Sequence, residues 1–176
     1  MKKLMVVAVM VMMSAGVQAQ DAITKFFSKY QNDDTFTQVT ISSKMFSLFT
    51  DMELENKDDQ EVLNAISKLK GLRILNKDTY DSRLLYKEAM SMIPSKEFEE
   101  LMTVQDKDKN MKFLIKEGGG KINELVMVMH DKEEFMIMSL YGEIDLKQVS
   151  KLGKKLNVDG LENLENLKDK KNSKDN

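Results

Sequence analysis

Residues 110–145 read NMKFLIKEGGGKINELVMVMHDKEEFMIMSLYGEID. Met111–Lys116 alternates apolar and polar side chains, as a strand with one covered face does. Gly118–Gly120 supply the positive φ angles that a tight hairpin requires. A second strand is predicted over Ile122–Met129, and a third over Phe135–Tyr141 after a short polar turn. The stretch therefore predicts a three-stranded antiparallel meander whose first strand lies at or near an edge of its sheet.

The two hairpin loops decide which side chains share a face of the meander. A three-residue glycine loop places Glu117 opposite Lys121. A polar turn of two or four residues places Met127 or Met129 opposite Met136, and opposed residues share a face. One face then carries only apolar side chains: Met111, Phe113, Ile115, Leu125, Met127, Met129, Met136, Met138 and Leu140. The other face is mixed: Lys112, Leu114, Lys116, Ile122, Glu124, Val126, Val128, Phe135, Ile137, Ser139 and Tyr141.

These two faces have different requirements. The apolar face must be covered, and helices elsewhere in the chain are expected to cover it. The mixed face is apolar in its middle and charged on its first strand, so it is half-solvated, capped by other segments, or offered to a partner. We expect a contact surface for a partner protein here, formed by Val126, Val128, Phe135, Ile137 and Tyr141.

Apolar residues at helical spacing predict helices on both sides of the meander in the chain. Their predicted starts are Asp21, Ser42 or Ser43, Asp58, Asp78 or Thr79, and Asp145. Gly71 is expected to end the third helix, and residues 95–102 are expected to form a further helical turn or two. Two more strands are predicted, at Phe36–Ser42 and Leu72–Leu75.

The fold class that follows is α+β. We expect a single domain over residues 20–158, with a mixed sheet that ends in the three-stranded antiparallel meander and is covered by helices on one face. The helix that carries Phe46 and Phe49 is rich in large apolar side chains, so we expect it to lie deep. Residues 159–176 are expected to form a short helical segment and a disordered polar tail.

Met1–Ala19 has the pattern of a secretory signal peptide. Lys2 and Lys3 make its start positive, and small residues precede the predicted cleavage point after Ala19. The apolar run Leu4–Met13 is about half of the ~20 residues needed to cross a bilayer, so no stable membrane anchor is expected. The mature protein is expected to be periplasmic or secreted.

Composition excludes several classes of function. The formal charge is −2, and acidic and basic residues are interspersed, so there is no electrostatic footprint for nucleic acid. The chain has no cysteine, which excludes disulfides, thiol nucleophiles, cysteine metal sites and the lipid-modified cysteine of a lipoprotein. No cofactor is predicted.

The one histidine, His130, stands beside Asp131, Glu133 and Glu134. A histidine among carboxylates can bind a metal or move protons. Zinc would require a second nitrogen or sulfur ligand, which the sequence does not supply. We therefore expect these residues to form a polar turn and predict no metal site.

Ten methionines follow the predicted cleavage point, and Met127, Met129, Met136 and Met138 share one face. Thioethers favour Cu(I), but methionine also fills irregular cores and lines adaptable apolar pockets. Because these four alternate within apolar strands, the core is the favoured interpretation. The alternative is an apolar pocket lined by these methionines with Phe46 and Phe49.

The remaining motifs favour structure over catalysis. Gly118–Lys121 lacks the hydroxyl residue of a phosphate loop and precedes a strand, which favours a hairpin turn. Neighbouring acids such as Glu99 and Glu100 point apart on a regular element. The serines share one histidine and lack a nucleophile elbow. No catalytic residue is predicted, and the protein is not expected to be an enzyme.

Several passages carry a family resemblance. They are Phe26–Tyr30 (FFSKY), Ile41–Phe46 (ISSKMF), Phe98–Met102 (FEELM), Phe113–Glu117 (FLIKE) and Gly142–Leu152 (GEIDLKQVSKL). Together they resemble the uncharacterised domain-of-unknown-function family 4252 of small exported bacterial proteins, over nearly the whole mature chain. The resemblance implies no assigned activity and no catalytic residues. Some members are encoded beside extracytoplasmic sigma-factor systems, which implies an envelope-stress role by association.

The function expected from these observations is binding rather than catalysis. We expect an exported interaction protein of the bacterial envelope, linked to envelope-stress signalling, whose partner is an unknown envelope protein. The alternative is a carrier of a small apolar ligand in the methionine-lined pocket.

Overall fold

The computed structural model describes residues 22–50 and 56–156 of the chain. In chain order the elements are α1 (Ala22–Tyr30), β1 (Thr37–Ser42), α2 (Ser43–Thr50), α3 (Lys57–Ile66), β2 (Leu69–Asp78), α4 (Ser82–Met92), β3 (Glu99–Gln105), β4 (Asn110–Gly118), β5 (Lys121–His130), β6 (Glu134–Ile144) and α5 (Leu146–Leu156). One six-stranded sheet has the order β1-β2-β6-β5-β4-β3. The α+β class is therefore confirmed. All pairings are antiparallel, where the sequence predicts a mixed sheet.

The meander is present as β4, β5 and β6, and β4 lies one strand from the edge. Its first loop is shorter than predicted, because Gly119 and Gly120 both have positive φ (64° and 75°) and form a two-residue turn. Gly118 therefore pairs with Lys121, and Glu117 pairs with Ile122 rather than with Lys121 as predicted. In the second hairpin Met129 pairs with Met136, as predicted for a four-residue turn.

The apolar face of the meander is as predicted and is covered. Its side chains form one core cluster with residues from three helices: Phe46 of α2, Val62 and Ile66 of α3, and Val149 of α5. Ile122, predicted on the mixed face, is partly buried against this cluster instead. A register shift between Ile122 and Glu124 changes its side.

The mixed face is covered as well, although the sequence predicts helices on one face only. A second core cluster joins Val126, Val128, Phe135 and Ile137 to α1 and α4. The ring centroids of Phe26 in α1 and Phe135 in β6 lie 5.7 Å apart. Of the three possibilities for this face, capping by other segments is the one observed in its middle.

Strand β2 is longer than predicted and includes Gly71. The sequence places Gly71 at a helix end, but α3 ends at Ile66. Gly71 pairs with β1 and β6 as part of the strand, and the side chain of Tyr141 occupies the space where a Cβ would stand. Packing of the Tyr141 ring over Gly71, rather than a helix terminus, explains this glycine.

Two further helical predictions are wrong. Residues 99–105 form edge strand β3, because pairing with β4 satisfies their backbone groups despite their helix-favouring composition. Helix α2 does not lie deep: Phe46 is buried, but Met45 and Leu48 are 47% and 55% exposed. The predicted signal peptide and the segment 159–176 lie outside the described residues, as does the side chain of Phe49.

Candidate functional site

A cleft of about 520 Å³ lies where α3, the β4–β5 hairpin and the β6–α5 junction meet. It is lined by Glu61, Asn64, Ala65, Lys68, Glu117, Gly120, Lys121, Ile122, Glu143, Ile144, Asp145 and Gln148. We call it the hairpin cleft. Its volume falls in the range of small-ligand sites, but its walls are more polar than those of most such sites.

The wall formed by α5 is fixed by a helix cap. The Asp145 carboxylate accepts hydrogen bonds from the backbone N–H groups of Lys147 (2.9 Å) and Gln148 (3.3 Å). This cap turns the chain from β6 into α5. It brings Gln148 beside α3, where the Gln148 side-chain amide donates to Glu61 Oε2 at 3.5 Å.

An ion-paired carboxylate forms another wall. Lys121 and Lys68 donate to the two oxygens of Glu143, at 2.6 Å and 2.9 Å respectively. These two donors hold the pKa of Glu143 below its ordinary value. Glu143 therefore remains an acceptor at neutral pH and is not a proton donor there.

Two further acceptors line the cleft, the Gln148 side-chain oxygen and the Glu117 carboxylate. Gln148 is 9% exposed, and its Oε1 has no hydrogen-bond partner. Among the described residues Glu117 has no ion-pair partner. The cleft as a whole presents four carboxylates against two ammonium groups. This arrangement suits a ligand that carries positive charge and several N–H donors.

The depressed pKa of Glu143 gives a prediction for acid titration. In a ¹³C NMR titration the Glu143 carboxyl should have its midpoint below 4.5, the ordinary value. The ion-pair contribution should be present above that ordinary value and should be lost as the pH falls through the lower, folded pKa. Replacing Lys121 by alanine should move the midpoint upward. A Glu143 midpoint at or above 4.5 in the unmodified chain would contradict the described pairing.

The predicted partner-contact residues do not form an accessible surface. Val126, Val128, Phe135 and Ile137 are all 0% exposed, because α1 and α4 cover them. Tyr141 is partly buried, with the Arg73 guanidinium carbon 5.5 Å from its ring centroid. The contact-surface interpretation of this face is therefore corrected: four of its five residues belong to the core.

The methionine face is also core. Met127, Met129 and Met138 are at most 2% exposed, and Met136 is partly buried against the same cluster. Phe46 packs there too. None of these residues lines the hairpin cleft. The structure therefore supports the core interpretation of these side chains.

His130 lies at the opposite end of β5, buried against Tyr86 with ring centroids 4.7 Å apart. A second, acidic cleft of about 620 Å³ is nearby, lined by Asp78, Asp108, Asp131, Lys132, Glu133 and Glu134. The Asp131 carboxylate stabilises the turn, because it accepts hydrogen bonds from the backbone N–H groups of Glu133 and Glu134, both at 2.8 Å. Within the described ranges no group of three or more histidine, aspartate or glutamate side chains is placed to hold a metal ion.

Sequence reasoning did not single out the hairpin cleft. Lys68 and Glu143 are 75 residues apart, and Glu61 and Gln148 are 87 apart. Residues so far apart in the chain form no repeating sequence pattern from which their contact could be predicted. The one available sign was the predicted start of α5 at Asp145, which locates Gln148 on the first turn of a helix but does not say what it faces.

The fold and this site define a class: a small α+β protein with one antiparallel sheet, helices on both faces, and a polar cleft at one end. The chain belongs to the family described as domain of unknown function (DUF4252), whose family model matches residues 30–152. That match confirms the resemblance noted in the sequence. Neither curated proteins nor solved structures give a significant match. Among the described helices, none has the length and apolar character required to cross a membrane.

Proposed function

We propose that the protein is an exported, non-enzymatic binding protein of the bacterial envelope that holds a basic segment of a partner protein in the hairpin cleft. The observation that carries this proposal is the surplus of acceptors in the cleft. A lysine or arginine side chain supplies both the positive charge and the N–H donors that Glu61, Glu117 and Gln148 can accept.

The buried Gln148 oxygen gives the proposal an energetic basis. An unsatisfied buried acceptor costs about 1–3 kcal/mol. The oxygen has almost no accessible surface in the free protein, so the Gln148 side chain must turn towards the cleft to accept a ligand N–H. That new hydrogen bond removes the penalty, and part of the binding energy comes from this relief. Neighbouring carboxylates then favour a charged donor over a neutral one.

The lining of the cleft supports binding rather than catalysis. The described lining residues include no serine, threonine, tyrosine or histidine, so a carboxylate base in the cleft would have no hydroxyl or imidazole group of the protein to activate. His130 is nine positions along β5 from Lys121, which corresponds to about 30 Å in a strand. Glu143 is held in its ionised form, so it is poorly suited to donate a proton.

Export and a link to envelope stress remain part of the proposal. They are supported by the secretory pattern of Met1–Ala19 and by the resemblance to an exported bacterial family. The apolar-carrier alternative receives no comparable support, because the methionines that would line its pocket are packed in the core.

Calorimetric titration with trilysine at low ionic strength tests the cleft. We expect weak binding, with a Kd of about 1 mM, because exposed ion pairs contribute about 0.2–1 kcal/mol each and a donor to the Gln148 oxygen contributes about 1–3 kcal/mol. The double variant Glu61→Gln/Glu117→Gln should raise the Kd about fivefold. The control Glu99→Gln/Glu133→Gln removes the same charge elsewhere and should leave the Kd unchanged. Absence of binding, or equal effects of the two double variants, would refute the proposal.

A Gln148→Met variant separates a binding role from a structural one. Methionine keeps the length of the side chain but removes the unsatisfied oxygen. The free protein should therefore be as stable as the unmodified chain or slightly more so, while trilysine binding weakens. A loss of stability without a loss of binding would show that Gln148 serves the fold alone.

A further inference from the structure

We propose that two copies of this chain associate through the outer edges of their β1 strands to form an antiparallel dimer with one continuous sheet. Strand β1 ends the sheet, and its only strand partner among the described residues is β2. An unpaired strand edge exposes N–H and C=O groups that can pair with another strand. Most exposed edges carry features that prevent pairing with another chain.

The two edge strands of the sheet differ sharply in protection. Strand β3 carries Glu99 and Glu100 and has a register irregularity between Glu100 and Met102, both of which discourage strand addition. Strand β1 reads TQVTIS, with no charge, proline or glycine, and its register with β2 is regular. Five of its six residues are exposed. Within the described residues, β1 therefore carries no charge, proline or bulge that would discourage pairing.

Exposed apolar side chains accompany this unprotected edge. Val39 in β1 is 40% exposed, and Met45 and Leu48 in α2, which packs on β1 and β2, are 47% and 55% exposed. These are three of the five large apolar residues that are exposed in the described part of the chain. Val39 lies in the edge strand itself, and Met45 and Leu48 lie in the helix that follows it directly in the chain, so a partner that pairs with β1 meets apolar side chains there.

A second copy is the occupant that best fits the charges at the ends of β1. In an antiparallel pair centred on Val39, Val39 faces its own copy and Thr37 faces Ile41 of the other chain. The same pairing places the turn before β1, which contains Asp34, next to the start of α2 in the other copy, which contains Lys44. Both are exposed, and neither forms an ion pair among the described residues. The two-fold axis thus brings an acidic side chain and a basic side chain to the same end of the paired strands, once at each end.

Sedimentation velocity of the full chain over a concentration series tests the dimer. We expect a monomer–dimer equilibrium that Val39→Lys weakens at least about tenfold, because like charges then face each other across the axis. Thr103→Lys places the same charge on an exposed position of β3 and should leave the equilibrium unchanged. Asp34→Lys and Lys44→Asp should each weaken the dimer, and the double variant should restore it.

Cysteine cross-linking then tests the register. The chain has no cysteine, so Val39→Cys introduces a single thiol. Opposed Cα atoms in an antiparallel pair are about 4.5–5.5 Å apart, within reach of a disulfide. Oxidation should give a covalent dimer for Val39→Cys and not for Thr103→Cys. A monomer at every concentration, or a dimer that Val39→Lys leaves intact, would overturn the proposal.

Discussion

Replacing Phe135 by alanine should lower the free energy of unfolding by about 3–5 kcal/mol. Phe135 is 0% exposed and packs against Phe26 of α1 across the sheet face that was predicted to contact a partner. If that face were open, the same truncation would have little effect on stability, because the ring would already be in water. Urea denaturation measures the difference in the free energy of unfolding between the variant and the unmodified chain, provided that the m-value is the same for both.

The control for this change is Tyr80→Ala. Tyr80 is 85% exposed, so its truncation should change the free energy of unfolding by no more than about 0.5 kcal/mol. If Phe135→Ala behaved like Tyr80→Ala, α1 and α4 would not cover the face in solution. The second core cluster would then be absent.

The Gly142→Ala variant should lose about 3 kcal/mol or more, from strain and overpacking together. Gly142 has φ 135°, and a Cβ there would lie 2.6 Å from the Lys68 carbonyl oxygen and 2.7 Å from Leu69 Cα. Both are backbone atoms, so neither can move aside as a flexible side chain does. Thermal or urea unfolding measures the loss.

Gly120→Ala is the matched control, because Gly120 in the hairpin turn also has positive φ (75°) but a Cβ there would meet no atom within 4 Å. Its expected cost is about 1–2 kcal/mol. The Gly142 change should also weaken trilysine binding, since the Glu143 N–H donates to the Lys68 carbonyl at 3.1 Å. Equal losses for both variants would show that the close backbone contact at Gly142 is absent.

The meander could be predicted from sequence because its signals are local. Alternation in β4 and the glycines after it specify a hairpin, and Met129 and Met136 flank a short polar turn. The length of the first loop could not be read in the same way. Two glycines in the left-handed region suffice for the turn, and a shift between Lys116 and Glu117 then restores the register.

What could not be predicted depends on contacts between distant segments. Glu99–Gln105 contains good helix formers, and only pairing with β4 makes it a strand. The mixed face looked available because the sequence does not say which face α1 and α4 will cover. The hairpin cleft could not be predicted either, because its walls come from three segments that are distant in the chain: α3, the β4–β5 hairpin and the β6–α5 junction.

The central claim is that the hairpin cleft accepts a cationic ligand, and amide NMR with ¹⁵N-labelled protein and trilysine tests it most directly. We predict that the largest shift changes involve the Gln148 side-chain NH₂ and the backbone amides of Gly120 and Lys121. At the same trilysine concentration these resonances should shift clearly less in the Glu61→Gln/Glu117→Gln variant. Shifts confined to the acidic cleft around Asp108 and Glu133, or no shifts at millimolar trilysine, would contradict the claim.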